Sequence, residues 1–152
     1  MRVTKAMKEQ LADADYQSLA AFRRSIREFL SFSESAAREN GLTPQQHQAI
    51  LAIRGLSADG DMSVGSLAGH LMVQHHSAVE LVDRLEHAGL IKRVTAADDR
   101  RKVNVRLTPK AHRLLEQLSR VHLSELRRRA PELAKILHDL SSDRGADPPV
   151  GQ

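Results

Sequence analysis

The chain has 152 residues, 41% of them hydrophobic and 28% charged, which suits one domain with a buried core. It holds no Cys and no Trp, three Phe and one Tyr, so disulfides, thiolate metal sites and cysteine redox chemistry are excluded and the core must be aliphatic. Formal net charge is +4, no apolar run approaches the roughly 20 residues of a membrane span, and the opening "MRVTKAMKEQLADAD" lacks the apolar core of a signal peptide, so a cytoplasmic protein without a membrane partner is expected.

Residues 1–12 are polar and predicted frayed or partly helical. From Asp13 to Asn40, Tyr16, Leu19, Phe22, Ile26, Phe29 and Leu30 recur at spacings of three and four, the period of an amphipathic helix, and Asn40-Gly41 supplies a left-handed stop. "LTPQQ" restarts a helix, with Thr43 as cap, Pro44 at its first position and Gln46 completing a capping box. That helix is predicted to run to about Arg54 and stop at Gly55. "LSADGD" reads as a turn-rich loop. Ser63 caps a short helix from Val64 to about His70, Met72-Val73-Gln74 connects, and a further helix spans about His75 to His87, with Ala78, Leu81, Val82 and Leu85 inward and Ala88-Gly89 as its stop.

The period then changes from helix to strand. "LIKRV" and "KVNVRL" flank the polar loop "TAADDRR", which reads as a hairpin. Thr108-Pro109 opens another helix, striped by Leu114, Leu115, Leu118, Val121 and Leu126. Pro131 disfavours helix at Ala130, so a break is predicted there, followed by a last helix carrying Leu133, Ile136, Leu137 and Leu140. The tail "SSDRGADPPVGQ" is predicted disordered.

Between Lys92 and Arg113 stand eight basic residues against only Asp98 and Asp99, a local charge of +6. Such a patch is the footprint of a polyanion site, unless it is a solvated basic face. Two short helices joined by a short turn, the second opening with Gln74, His75, His76 and Ser77, describe a helix-turn-helix, whose second helix offers its first turn to base edges in the major groove. A hairpin directly after that helix is a wing. Its tip would reach the minor groove, which attracts arginine, and Asp99 stands two residues before Arg101, where a charge-assisted pair can aim the guanidinium.

The run "SLAGHLMVQHHSAVELVDRLEHAGLIKRVTAADDRRKVNVRLTPKAHRLL" resembles the DNA-binding core of the MarR (multiple antibiotic resistance regulator) family. The landmarks, in order, are "LVDRLEHAGLIKR", Asp99-x-Arg101 and "LTPKA", and with the flanking helices the resemblance covers roughly residues 13–140. It implies a mainly α protein with a small β-hairpin wing: a winged helix-turn-helix over 43–108, N- and C-terminal dimerisation helices over 13–42 and 109–140, and a disordered tail at 141–152, all one domain. The implied function is a DNA-binding transcription regulator, expected to be a repressor. It would act as a homodimer on a near-palindromic double-stranded operator and be released by a small phenolic or aromatic effector. The family's wing arginine falls on Arg101 and its orienting acid on Asp99. With Arg100 and Lys102 beside them, and Gln74, His75, His76, Ser77, Glu80 and Arg84 on the recognition helix, these are the residues expected at DNA. The chain departs from the family in opening this helix with Gln74-His75-His76 rather than Ser or Thr, and in placing the acid Glu80 there. Effector-pocket residues have no local signature.

Several residues admit a second reading. His76 and Glu80 have one-face helical spacing, but a metal needs three or four converging ligands, so neither metal nor cofactor is expected. His47 either lines a ligand pocket or is a partly buried, hydrogen-bonded histidine; Arg84 either meets phosphate or pairs with Asp83 or Glu80. Arg127, Arg128 and Arg129 form either a solvated helix face or a second DNA contact. There is no Gly-rich phosphate loop, HExxH or nucleophile elbow, so no enzyme is expected. The alternative is a winged-helix protein-interaction module that reads no specific DNA.

Overall fold

The computed structural model describes residues 10–142, so the predictions for 1–9 and for the tail beyond Ser142 lie outside the described residues. Five helices and three short strands follow in the order α1 (Asp13–Glu39), α2 (Pro44–Leu56), β1 (Asp61–Ser63), α3 (Val64–Leu71), α4 (His75–His87), β2 (Ile91–Thr95), β3 (Val103–Leu107) and α5 (Pro109–Ser141). Among the described residues no helix is long and apolar enough to cross a membrane.

The chain divides into two compact units. One takes in residues 32–123: the end of α1, the helix-turn-helix, the sheet and the start of α5. The other holds the first part of α1 and the part of α5 from Ser124 onward.

The larger unit carries the aliphatic core that the composition demanded. Ile50, Ile53, Leu67, Val82, Leu85, Leu90, Val105 and Leu118 are almost wholly removed from water and gather around α2, α3, α4 and the sheet. The starts of α2 and α3 are chemically specified by side-chain caps, Thr43 and Ser63. The Thr43 hydroxyl accepts from the Gln46 N–H at 3.1 Å, while the Gln46 side chain accepts from the Thr43 N–H at 3.0 Å, closing the predicted capping box. Thr43→Ala is expected to cost about 1 kcal/mol, read as a lower urea midpoint, with α4 and the wing unaffected.

Three predictions about elements need correction. Helix α2 does not stop at Gly55: it runs through it to Leu56 and ends when the chain turns extended at Ser57, whose hydroxyl donates to the Ile53 carbonyl at 2.5 Å. A glycine lowers helix propensity but stops a helix only where a left-handed residue is required. The "LSADGD" loop leads straight into a strand, β1, which pairs antiparallel with β3 in the register Asp61↔Arg106, Met62↔Val105, Ser63↔Asn104. The hairpin is therefore two strands of a three-stranded sheet ordered β1-β3-β2.

Pro131, third, does not break α5, which continues through it as one helix. A proline inside a helix removes one hydrogen bond and crowds the carbonyl four residues back, at roughly 3 kcal/mol. Contacts on both sides oppose that cost. Before it, Arg129 donates to Glu125 at 2.6 Å and to Glu28 of α1 at 2.8 Å; after it, Ile136 is buried. Of the arginine triplet, Arg127 and Arg128 are exposed, whereas Arg129 is bound within the smaller unit. The Arg129 and Arg24 guanidinium groups together hold the Glu28 carboxyl below its ordinary value.

Candidate nucleic-acid interface

The α3–α4 turn sets the direction of the second helix. Met72 adopts the left-handed conformation, φ 56° and ψ 42°, and caps α3. Its N–H reaches the Gly69 carbonyl at 3.2 Å, and the Val73 N–H reaches that of Ala68 at 3.0 Å. Gln74 is the cap residue of α4, yet its side chain makes no capping bond. The amide of Gln74 and the first-turn N–H groups of α4 are thus left for an outside acceptor. Gln74, His75, His76, Glu80 and Arg84 are exposed and Ser77 is half-buried, while Ala78, Leu81, Val82 and Leu85 face the core. Among the described residues no acid pairs with Arg84, so of its two readings the ion pair with Asp83 or Glu80 is not the one formed.

Two side chains on this surface escaped the sequence reading. Met72 is 90% exposed at the turn, and Val79 stands outward on α4. A short connector carries no period, and Val79 lies between the core positions Ala78 and Leu81, so only the three-dimensional face distinguishes them.

The basic segment proves to be two populations. Arg93 on β2 donates to Asp83 and to Glu86 of α4, each at 2.5 Å, and is clasped between them. Arg106 on β3 makes a bidentate bond to Asp61 of β1 at 2.6 and 2.9 Å, which holds the Asp61 carboxyl below its ordinary value. Lys110 donates to the Ala88 carbonyl at 2.8 Å, at the end of α4. These three cations hold the fold together. Lys92, Arg100 and Lys102 remain exposed with no acid partner among the described residues.

The wing tip is a built turn. The Ala96 N–H bonds to the Lys102 carbonyl at 2.9 Å, and the Lys102 N–H to the Asp99 carbonyl at 3.0 Å. Asp99 Oδ1 accepts from the Arg101 backbone N–H at 2.9 Å, a side-chain turn that aspartate favours. The guanidinium itself stands farther off, Nε at 3.7 Å from Oδ1, with the Arg101 side chain 95% exposed. So Asp99 grips the backbone of Arg101 more firmly than its charge, which differs from the side-chain brace that the spacing suggested.

Away from this surface, His47 is fully buried, not partly, and its Nδ1 has no hydrogen-bond partner. Its ring lies 4.8 Å from that of His122. His122 Nδ1 sits 2.6 Å from the Leu118 carbonyl and Nε2 2.8 Å from the Ser33 hydroxyl. The carbonyl can only accept, so Nδ1 carries a proton. Burial, then the neighbouring His122, lowers the His47 pKa from 6.5 to about 4. Among the described residues no group of three or more His, Asp or Glu is placed to hold a metal ion.

A helix pair joined by a tight turn, followed by a hairpin with a basic tip and a third strand pairing behind it, defines a winged helix-turn-helix. Residues 40–102, from the end of α1 through the wing loop, match the family model described as MarR family. An uncharacterized HTH-type transcriptional regulator of Bacillus subtilis, YsmB, is 26% identical over 106 residues, covering 67% of this chain and 70% of that protein. AbsC, a MarR family transcriptional regulator from Streptomyces coelicolor, has a similar fold, with a TM-score of 0.70 at 21% identity over 87% of this chain and 90% of that one. A mutant of S. aureus MepR bound to an oligodeoxyribonucleotide matches with a TM-score of 0.62 at 21% identity, covering 87% of this chain and all (100%) of that one.

Proposed function

We propose that this chain is a sequence-specific DNA-binding transcription regulator. The observation that carries it is the pairing of two surfaces: the first turn of α4, with Gln74, His75 and His76 exposed and Ser77 half-buried, and the exposed wing tip at Arg100, Arg101 and Lys102. The helix would enter the major groove while the wing lays Arg101 in or beside the minor groove. Arg84 then meets a phosphate. The solved MepR complex with an oligodeoxyribonucleotide supports the reading by fold.

The chain would act as a homodimer. Tyr16, Leu19, Ile26 and Leu30 on α1, and Val121 and Leu137 on α5, are exposed apolar side chains at helical spacing, as dimerisation helices require. Two copies would read a near-palindrome with half-sites about one helical turn apart. Repression, and release by a small phenolic or aromatic effector, follow from the family resemblance.

The test is a binding titration on the DNA upstream of the chain's own gene, with scrambled DNA as competitor, at two salt concentrations. Specific binding that weakens steeply with salt is expected. Weak binding, equal on both DNAs and indifferent to salt, favours the protein-interaction module instead. Salt also separates the two classes of cation. Lys102→Ala should lower the salt slope by about one. Arg93→Ala should weaken binding about threefold by loosening α4 against β2, with the slope unchanged, because its charge is already spent on Asp83 and Glu86.

A further inference from the structure

Glu80 is the feature of the recognition surface that a simple polyanion reading leaves unexplained. It is exposed, sits one helical turn beyond His76 on the outward side of α4, and makes no hydrogen bond or ion pair among the described residues. Three other acids of this region are engaged: Asp83 and Glu86 hold Arg93, and Asp99 closes the wing turn. A free carboxylate brought up to DNA is repelled by phosphate and loses water, a cost that a hydrogen-bond donor on the DNA would offset.

The major groove exposes two such donors on base edges, the N6 amino of adenine and the N4 amino of cytosine. Beside the adenine amino group stands N7, an acceptor that repels a carboxylate. Cytosine presents its amino group beside a C–H, with no acceptor of its own on that edge. We propose that Glu80 selects a base: its carboxylate accepts a hydrogen bond from the N4 amino group of one cytosine in each operator half-site. This rests on the DNA-reading function proposed above, and assigns to Glu80 the role of a specificity-determining contact.

The experiment uses the full chain and duplexes selected by it from a random-sequence library. Each cytosine of the selected site is then replaced in turn by N4-methylcytosine, which keeps the Watson–Crick pair and blocks the groove-facing hydrogen. One cytosine per half-site should show a loss on the order of tenfold with the parent chain, and no loss with Glu80→Ala. Glu80→Gln, whose amide suits adenine, should move the selected base at that position toward adenine. The proposal is overturned if N4-methylation costs parent and Glu80→Ala the same. It is equally overturned if Glu80→Ala binds every duplex more tightly with its base preferences intact, since Glu80 would then only repel. A parent chain that selects no sequence at all removes the DNA-reading function and this contact together, whereas clear selection without a Glu80-dependent cytosine removes this contact alone.

Discussion

Arg101→Ala is expected to weaken operator binding by about tenfold or more while leaving the oligomeric state unchanged. The side chain is almost fully in water and meets only the loose 3.7 Å pair with Asp99, so its removal costs the fold little. What is lost is a cation at the end of a turn whose backbone is already ordered by Asp99 and by the Ala96–Lys102 bond. The neighbouring position separates charge from geometry. If Asp99 acts by holding the Arg101 N–H, Asp99→Asn keeps an oxygen acceptor there and removes a negative charge near phosphate, so it should bind at least as tightly as the parent. Asp99→Ala loses the acceptor and should bind more weakly than Asp99→Asn. Fluorescence anisotropy on one operator duplex compares all three variants. If Asp99→Asn is as weak as Asp99→Ala, the loose ion pair at 3.7 Å is the working contact after all.

The second expected result concerns acid. In the fold His47 stays neutral down to about pH 4, whereas in the unfolded chain it takes a proton near its ordinary 6.5. Between those values the unfolded state binds the extra proton. Stability from this site is therefore whole above about pH 6.5 and drains away as pH falls toward 4, by at most about 1.4 kcal/mol per pH unit. His47→Leu removes the titration and also the buried Nδ1 that has no partner. Replacing an unsatisfied polar group by an apolar one of similar size is close to neutral or stabilising. Urea midpoints at pH 7 and pH 5 should then drop for the parent and hold nearer level for His47→Leu. Equal drops in both would show that the acid sensitivity resides elsewhere.

What could be read in the chain and what could not follows from the range of each interaction. Helix α4 is legible because its period, its Gly89 stop and its polar first turn all lie within the helix or next to it. The Thr43 capping box is legible for the same reason. Strand β1 is three residues long with one buried side chain, Met62, and exists only because β3 lies alongside. Pro131 obeys a local rule that contacts of α5, some reaching to α1, override. At the candidate site the residue types were legible and their employment was not. Arg93 and Arg106 read as part of one basic patch, but their acids stand seven, ten and 45 positions away along the chain, beyond any motif. The spacing of Asp99 to Arg101 announced a partnership without revealing that its firmer half is a backbone bond.

The joint between α4 and α5 limits where this chain can change length. Thr108 donates to the Gly89 carbonyl at 2.6 Å and its N–H bonds to Leu90, while Lys110 reaches back to Ala88. The strands between run in strict register, Ile91↔Leu107 through Thr95↔Val103. One residue inserted into either strand would turn Val105 and Leu107 to solvent or pull Thr108 off its carbonyl. An insertion between Thr95 and Val103 disturbs neither. The wing tip is thus the place where residues can be gained or lost while the recognition helix keeps its seat, and a descendant of this chain could change its reach across DNA there without rebuilding its core.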